Sequence, residues 1–372
     1  MDKKKILIVS ASFYPKNSPR SFRTTELVKE FYRQGHEVVI SIPDTGFDYS
    51  EFLKETPVSL KYYGKLRYRA IAIKGNSLMK KLRRLARRLF GLLLEYPGIE
   101  HMYRISSFLK QESGYDLLIS IAVPFPVHWG VARVRSRKHP IATTWVADCG
   151  DPYMLATTDS FRKPFYFKYV EKKFCRKCDS LSVPFESLKN HFYKEFRSKM
   201  VVIPQGFNTR EIRVAKKVDN PIPTFAFAGA VIPGIRDFNL FFSFLKQVET
   251  PFKFIVFSEQ PDYYAPFKAH FKERLEVRGY LPRLELLYEL STCDFVVNVD
   301  TKFDCVSNTT AFPSKLIDYS FTTRPILNLC SNKIDESKVR QFLAGDYQGR
   351  RQVDSEQYKI ENVTAKFLQL AP

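Results

Sequence analysis

The chain has 372 residues, a formal net charge of +20 and an apolar content of 44%. At roughly 150 residues per domain, this length and apolar content predict two domains with sizeable cores. Because there is no long uninterrupted apolar run and the apolar stretch after MDKKK is too short for a signal sequence, we expect a cytoplasmic protein without a spanning helix. The charge predicts an anionic partner: nucleic acid, anionic lipid or a phosphorylated small molecule.

The first half of the chain alternates predicted strands and helices. KILIVS at residues 5–10 is a short apolar strand, residues 24–34 have helical spacing, and GHEVVISIP at 35–43 is again a strand. Strand, helix and strand in this order predict a parallel sheet. Further apolar runs in this half predict strands at Tyr115–Val123, Ile141–Asp148, Asp179–Pro184 and Lys199–Gly206.

A second series of apolar runs follows a polar, proline-bearing stretch, TREIRVAKKVDNPIP, that is typical of a linker. The predicted strands of this series lie at Thr224–Ala230, Phe252–Ser258, Leu275–Leu281, Cys293–Asp300 and Arg324–Leu329. We therefore expect an α/β protein of two doubly wound, Rossmann-like domains that face a cleft. The domains are residues 1–207 and 208–352, and residues 353–372 form a closing helix that returns to the first domain. Ligands of such sheets bind beyond the carboxyl ends of the strands.

The stretch AFPSKLIDYSFTTRPIL at residues 311–327 carries one candidate site. Pro313 and Ser314 are predicted to open a helix, with Lys315 in its first turn and Asp318 one turn later. Unpaired backbone N–H groups and a lysine at a helix N-terminus suit a phosphate group, and the aspartate could accept hydrogen bonds from sugar hydroxyls. The alternative is a capped helix with an ordinary surface pair of Lys315 and Asp318.

A second candidate element is FAFAGAVIPGIRDF at residues 225–238. Its strand is predicted to end at Gly229, the loop carries Gly234, and Arg236 precedes a helix. Glycines let a backbone approach a ligand closely, and the arginine guanidinium matches phosphate oxygens bidentately. This loop and the Lys315 stretch share one predicted domain, which favours an anion site there.

Four pieces in this order, GHEVVI, the Gly229 loop with Arg236, RGYLPRLELLYELSTCDFVVNV and PSKLIDYSFTTRPIL, resemble the GT-B glycosyltransferases of family 4. The resemblance covers nearly the whole chain. It implies a retaining hexosyl- or related glycosyltransferase (EC 2.4) whose UDP- or GDP-linked sugar donor is held by the second domain and whose acceptor is held by the first. It implies no cofactor besides this co-substrate, and no metal ion.

The resemblance also implies roles for individual residues. Asp318 takes the place of the family's second glutamate, which holds the ribose, and Arg20 replaces by side chain the glycine pair of the family's first loop. Thr310 stands where the family has its first glutamate, so the sugar cannot be read from that position. The donor-binding residues are expected to be Arg20, Gly229, Arg236, Gly279, Tyr280, Leu281, Ser314, Lys315 and Asp318, with residues 279–281 along the nucleobase.

The transfer reaction asks for a group that orients or deprotonates the acceptor hydroxyl. Candidates are Asp148 and Asp151 in WVADCGDPY and His128 in VPFPVHWG, although a histidine such as His128 is more often a satisfied helix residue. The DCGD run is not the DxD of metal-dependent enzymes. Six scattered cysteines predict reduced thiols, and the Cys175–Cys178 pair has no second pair to complete a metal site.

The stretch SLMKKLRRLARRLFGLLLEYPG at residues 77–98 predicts an amphipathic helix. At 100° per residue its apolar side chains fall within roughly 160°. The opposite side is entirely cationic, with Lys80, Lys81, Arg83, Arg84, Arg87 and Arg88. This separation is typical of helices that lie in a membrane interface. The alternative is a helix packed on the first domain with a solvated basic face.

Together these patterns predict a peripheral enzyme on the inner face of the plasma membrane. It would move a sugar to a lipid-linked saccharide in bacterial surface polysaccharide biosynthesis, that is, of capsule or lipopolysaccharide. A non-catalytic GT-B-like partner protein is one alternative, motivated by Thr310. A basic nucleic-acid-binding protein is another, but no RNP-type motif, helix-turn-helix turn or zinc finger supports it.

Overall fold

The structure, a computed structural model, describes residues 2–156, 162–216, 219–301 and 314–371. The chain divides into two compact units. The first comprises Met1–Phe207 and Lys359–Pro372, and the second comprises Asn208–Tyr358. Each unit is built on one parallel sheet with helices connecting its strands.

The sheet of the first unit has the order β3-β2-β1-β4-β5-β6-β7, and its neighbouring strands pair in parallel. Its strands are β1 (Lys5–Ser10), β2 (Glu37–Ile42), β3 (Ser59–Tyr62), β4 (Tyr115–Ala122), β5 (Ala142–Cys149), β6 (Ser180–Val183) and β7 (Met200–Val202). The central strands are apolar on both faces because helices cover both sides of a parallel sheet.

The helices that precede the second unit are α1 (Pro19–Arg33), α2 (Ser50–Glu55), α3 (Ser77–Leu94), α4 (Glu100–Leu109), α5 (Pro126–Val134) and α6 (Phe167–Lys177). Two 3₁₀ turns follow at Glu186–His191 and Lys194–Lys199. Helix α1 begins earlier than its apolar spacing predicts. Ser18 caps it by accepting a hydrogen bond from the Ser21 amide at 3.2 Å, and Pro19 suits its first turn.

The second unit has the strand order β10-β9-β8-β11-β12, again in parallel. Its strands are β8 (Thr224–Ala228), β9 (Lys253–Phe257), β10 (Leu275–Arg278), β11 (Phe295–Asp300) and β12 (Ile326–Cys330). Its helices are α7 (Asn239–Leu245), α8 (Pro261–Phe271), α9 (Arg283–Ser291), α10 (Ser314–Phe321) and α11 (Glu336–Leu343), with 3₁₀ turns at Lys272–Arg274 and Glu356–Tyr358. Phenylalanines dominate its core: the ring of Phe225 stacks on those of Phe254 and Phe295, each at 4.8 Å, across three adjacent strands.

The last helix, α12 (Ile360–Leu368), returns to the first unit and packs on α1. The Gln34 side chain donates to the Thr364 hydroxyl at 2.8 Å, and the Ile360 amide donates to the Phe207 carbonyl at 3.0 Å. Gly206 lies under this helix, where a Cβ would come within 2.5 Å of the Ile360 side chain. A larger residue at position 206 would therefore move the Ile360 side chain and crowd the Ile360 backbone and Val363, each at 3.2 Å.

Helix α3 forms over the predicted stretch, and none of its residues is buried. Asn76 caps it by accepting a hydrogen bond from the Met79 amide at 2.9 Å, and Glu95 ends it in the left-handed region with φ 53°. The prediction left open whether the apolar face packs on the first domain. In the described part of the chain that face is uncovered. No helix among the described residues combines the length and the apolar character needed to cross a bilayer.

The cysteines depart from expectation at one position. Cys149, Cys175, Cys178 and Cys293 are buried free thiols, as scattered cysteines predict. Cys330, however, is disulfide-bonded, so the expectation of reduced thiols is wrong there.

Glu171 in α6 is a buried carboxyl group with little compensation for its burial. It is 1% exposed, and neither carboxyl oxygen makes a well-formed hydrogen bond within the described chain. Burial raises the pKa of Glu171 from 4.5 to about 8, which the Met154 amide and the Lys172 ammonium group only partly oppose. The group is therefore mainly protonated in the fold at neutral pH.

This burial predicts a pH-dependent stability. An acid whose pKa is raised in the folded state costs stability progressively as the pH rises from its unfolded pKa toward its folded pKa. Glu171→Gln should therefore raise the free energy of unfolding of the first unit by a few kcal/mol at pH 8.5, since each pKa unit is worth about 1.4 kcal/mol. The gain should be small at pH 5. Calorimetric unfolding at both pH values measures it, with the exposed Glu186→Gln as control. An equal gain at both pH values would contradict the assignment.

Candidate active site

The loop after β8 brings an arginine to the carboxyl edge of the second sheet. Gly229 and Gly234 have φ of 129° and 75°, conformations that favour glycine. The loop closes on itself because Ile232 and Arg236 exchange backbone hydrogen bonds at 2.8 Å. The Arg236 side chain donates to the Ala230 carbonyl at 3.1 Å, while its Nε is buried with no partner in the described residues.

Lys315 lies in the first turn of α10, as predicted. Helix α10 is fixed to β8 by Tyr319, whose hydroxyl accepts a hydrogen bond from the Ala228 amide at 2.8 Å. Within this frame the Lys315 ammonium group lies 4.3 Å above the ring of Phe227. Its Nζ is buried and has no hydrogen-bond partner among the described residues.

The electrostatics around Lys315 favour the binding of an anion. Burial lowers the pKa of Lys315 to about 7, the guanidinium of Arg236 acts in the same direction, and Asp300 acts in the opposite sense. A buried ammonium beside a guanidinium is unfavourable unless a negative charge joins them. Two neighbouring cations with unused donors match the several oxygens of a diphosphate.

Asp318, the expected ribose ligand, is joined to an arginine that the sequence analysis missed. Arg283 at the start of α9 donates twice to Oδ1 of Asp318, at 2.9 and 2.7 Å. No bond to Oδ2 is made in the described chain, so this oxygen remains available to accept from a hydroxyl. Burial raises the pKa of Asp318, and the Arg283 guanidinium opposes the rise. No sequence spacing connects these two residues, which lie 35 positions apart.

The remaining donor-side predictions stand at different places. Ser314 is the first residue of α10, whereas Thr310 lies outside the described residues. Gly279 follows β10 and has open space around it, and the Tyr280 side chain is 72% exposed. Leu281 lines an open cavity of about 1010 Å³ at the foot of α9. These three residues are thus accessible to a planar base.

Asp148 at the end of β5 is fully committed to other groups. It is 2% exposed, and Arg23 donates to both of its carboxylate oxygens at 3.2 and 2.9 Å. The Ser182 hydroxyl donates to it at 2.6 Å. Burial alone would raise the pKa of Asp148, but Arg23, Arg20 and Ser182 hold it below its ordinary value. A buried carboxylate with this partnership is a weak base and does not favour the catalytic role expected for it.

Arg20 and Asp151 lie next to the ion pair of Arg23 and Asp148. Arg20 lies in the first turn of α1, with its guanidinium 3.8 Å from the Asp148 carboxylate. It crosses directly over Gly150, where a Cβ would come within 1.9 Å of the Arg20 side chain. Asp151, the next residue, is exposed on the loop after β5. Of the two candidate aspartates, only Asp151 faces solvent.

His128 lies in the core of the first unit. It is fully buried, with Nδ1 2.8 Å from the Ser120 hydroxyl and Nε2 3.6 Å from the Cys149 sulfur. Burial lowers the pKa of His128 to about 3, so the ring is neutral. These surroundings fit the alternative of a satisfied helix residue. Among the described residues there is also no group of three or more His, Cys, Asp or Glu side chains able to hold a metal ion.

Comparison with known proteins places the chain. The profile described as Glycosyltransferase Family 4 matches residues 22–211, just over half of the sequence. The chain therefore belongs to Glycosyltransferase Family 4. No curated protein matches it by sequence.

Solved structures share the fold of the whole chain. A glycosyltransferase from Rickettsia africae is 11% identical, with 99% of this chain and 98% of that chain covered and a TM-score of 0.61. The lipopolysaccharide outer core galactosyltransferase WaaB is 11% identical, with 98% of each chain covered and a TM-score of 0.57. HepE from Anabaena, solved with UDP, is 11% identical, with 99% and 95% covered and a TM-score of 0.54. At this identity the similarity establishes the GT-B fold, as the sequence predicts.

The unpaired Lys315 predicts pH-dependent anion binding. Because its pKa of about 7 must rise when an anion binds, affinity for inorganic pyrophosphate should weaken as the pH rises from 7 to 9, by up to about tenfold per unit. Lys315→Arg stays charged throughout and supplies the matched reference for titration of the anion itself. Calorimetric titrations of both proteins test this. Parallel pH profiles would contradict the assignment, and Lys315→Met should bind weakly at every pH.

Proposed function

We propose that this protein transfers a sugar from a nucleotide-sugar donor to a saccharide acceptor, with retention of configuration. The observation that carries the proposal is the pair Lys315 and Arg236, two neighbouring cations with unused donors at the carboxyl edge of the second sheet. Asp318 lies one turn further along α10 with a carboxylate oxygen available for a ribose hydroxyl. Membership of the glycosyltransferase family agrees with this arrangement.

We propose UDP as the first choice of donor nucleotide and GDP as the alternative, with a hexose as the sugar. HepE, which shares the fold, has been solved with UDP and with UDP-glucose, and TarM of S. aureus has been solved with UDP. The accessible loop at Gly279, Tyr280 and Leu281 offers a place for the base. The co-substrate supplies the leaving group, and the proposal calls for no further cofactor.

The main requirement of the reaction is to stabilise the leaving diphosphate. As the bond from the anomeric carbon to the diphosphate oxygen breaks, negative charge grows on that oxygen, and fixed cations stabilise it. Lys315 and Arg236 meet this demand in the second unit. In the first unit, Arg20 is our candidate for a phosphate contact. The acceptor hydroxyl oxygen forms the new bond to the anomeric carbon on the same face, and its proton passes to the departing diphosphate oxygen. We assign the orientation of this hydroxyl to Asp151, because both oxygens of Asp148 are occupied by Arg23 and Ser182.

For the acceptor we propose a lipid-linked saccharide at the inner face of the plasma membrane, in the assembly of a bacterial surface polysaccharide such as capsule or lipopolysaccharide. The support is α3, which presents an uncovered apolar face together with six cations (Lys80, Lys81, Arg83, Arg84, Arg87 and Arg88). Apolar insertion and attraction to anionic lipids act together in such helices. A nucleic-acid partner would leave the apolar face unexplained.

A nucleotide panel tests the donor. UDP should raise the unfolding temperature more than GDP or ADP. A ligand at a hundred times its Kd stabilises the folded state by about 2.7 kcal/mol, which is large enough to measure. Lys315→Met should abolish the shift, whereas Lys268→Met, an exposed lysine of the same unit, should retain it. If no nucleotide stabilises the protein and no nucleotide sugar is consumed, a non-catalytic GT-B-like partner role replaces the enzyme.

Vesicle sedimentation tests whether α3 binds membranes. Replacing Arg83, Arg84, Arg87 and Arg88 by glutamate should abolish binding to vesicles that contain phosphatidylglycerol, because the cationic face becomes anionic. A control with the same total change in charge replaces four exposed lysines of the second unit by glutamate, Lys246, Lys268, Lys272 and Lys333. This control should still sediment with the vesicles. Unchanged binding of the α3 variant would refute the membrane role.

A further inference from the structure

An exposed aromatic patch precedes and opens α6. Phe165 is 76% exposed and Tyr169 is 66% exposed, and Tyr166 between them is also exposed. Large aromatic side chains of a folded protein usually bury most of their surface. Three in one short segment mark an interaction surface, and nothing in the proposed transfer reaction uses them.

The patch is joined to the end of α3. The Tyr166 hydroxyl donates to the Leu93 carbonyl in the last turn of that helix. Two residues further on, Glu95 pairs with Lys163, and the Tyr153 hydroxyl donates to the same carboxylate oxygen at 2.8 Å. These contacts bring the uncovered apolar face of α3 and the exposed rings into one continuous surface.

Two of the exposed rings, those of Phe165 and Tyr166, are connected to the core beneath them. The ring of Phe165 meets that of Tyr166 edge-on at 5.8 Å, and Tyr166 packs on Phe167 at 4.8 Å. Phe167 is buried and stacks on Trp129 at 5.5 Å. A surface that is already ordered loses little conformational entropy when it inserts elsewhere.

The surroundings of the patch are cationic. Lys168 and Lys173 are exposed on α6 next to the rings. The carboxylate of Glu95, which this segment contacts, is paired with Lys163, whose ammonium lies 4.4 Å above the ring of Tyr153. Aromatic rings flanked by lysines are what the headgroup zone of an anionic bilayer accommodates, since the rings lie at the level of the headgroups and the lysines meet the phosphates.

We propose that Phe165, Tyr166 and Tyr169 form an aromatic anchor that inserts into the interfacial zone of an anionic bilayer beside α3. The inference rests on the proposed membrane binding by α3 and adds a second, uncharged contact with the bilayer. The anchor also adjoins the acceptor side of the first unit, because Tyr153, which shares Glu95 with Lys163, lies two residues beyond Asp151. A lipid-linked acceptor would thus lie close to the loop that receives it.

Tryptophan substitution tests insertion directly. The two native tryptophans, Trp129 and Trp145, are buried and give a constant background. In Phe165→Trp and Tyr169→Trp, vesicles containing phosphatidylglycerol should shift the emission to the blue. Spin labels near the lipid glycerol backbone should quench this emission more than labels at the chain ends. Tyr103→Trp, an exposed position on α4, should show neither effect.

A second variant separates the anchor from the charged helix. Phe165→Ser with Tyr169→Ser should weaken vesicle binding by roughly tenfold or more, and the factor should persist in high salt because apolar burial is not screened. If Phe165→Trp and Tyr169→Trp bind vesicles with no blue shift of their emission, the anchor is overturned, whereas the proposed membrane binding by α3 is not. A wild-type protein that binds no vesicles would overturn both, while the nucleotide panel judges the transferase activity independently.

Discussion

The first unit depends on one buried ion pair, Arg23 with Asp148. Arg23 is 3% exposed and uses its whole guanidinium: it donates to both Asp148 oxygens and to the carbonyls of Ile203, at 3.1 Å, and Pro204. It also lies 5.3 Å from the ring of Phe367 in α12. Two charges taken out of water are tolerated only when nearly all their hydrogen bonds are made. The pair therefore fixes α1, β5, the chain after β7 and α12 to one another.

The ion pair of Arg23 and Asp148 also positions the two accessible candidate residues of this unit, Arg20 and Asp151. Arg20 lies one turn before Arg23 on α1, so fixing the helix fixes the direction of its guanidinium across Gly150. Asp151 follows on the same loop. The second unit is organised in the opposite way. Tyr319 fixes α10 by hydrogen bonding to the backbone of Ala228, and Lys315, which this helix carries, has no hydrogen-bond partner among the described residues. A charge with all its hydrogen bonds made holds the fold, whereas a buried charge without them is the basis of our proposed anion site.

The sequence predicts this molecule well where local pattern decides. Apolar runs locate the strands of both sheets, but not β3, because Ser59–Tyr62 is only partly buried and carries no continuous apolar signal. The helix openings follow from capping residues such as Ser18, which apolar spacing does not detect. Arg23 with Asp148, 125 positions apart, could not be paired from sequence. Asp148 therefore looked catalytic: a carboxylate after a strand reads the same whether or not a partner saturates it.

The amphipathic helix α3 is a second case in which local sequence pattern leaves two structures possible. Its sequence fits both a helix packed on the domain and one at a membrane, because both need one apolar side. The structure shows that none of its residues is buried, and the membrane role stays a proposal. An uncovered apolar face and an unpaired buried ammonium each cost stability in the isolated chain. Both costs would fall if a partner covered these groups, and the two proposed partners differ in kind: a bilayer for α3 and the adjoining aromatic rings, and an anion for Lys315. The proposed transfer, from a charged nucleotide-sugar donor to a lipid-linked acceptor, would use both partners.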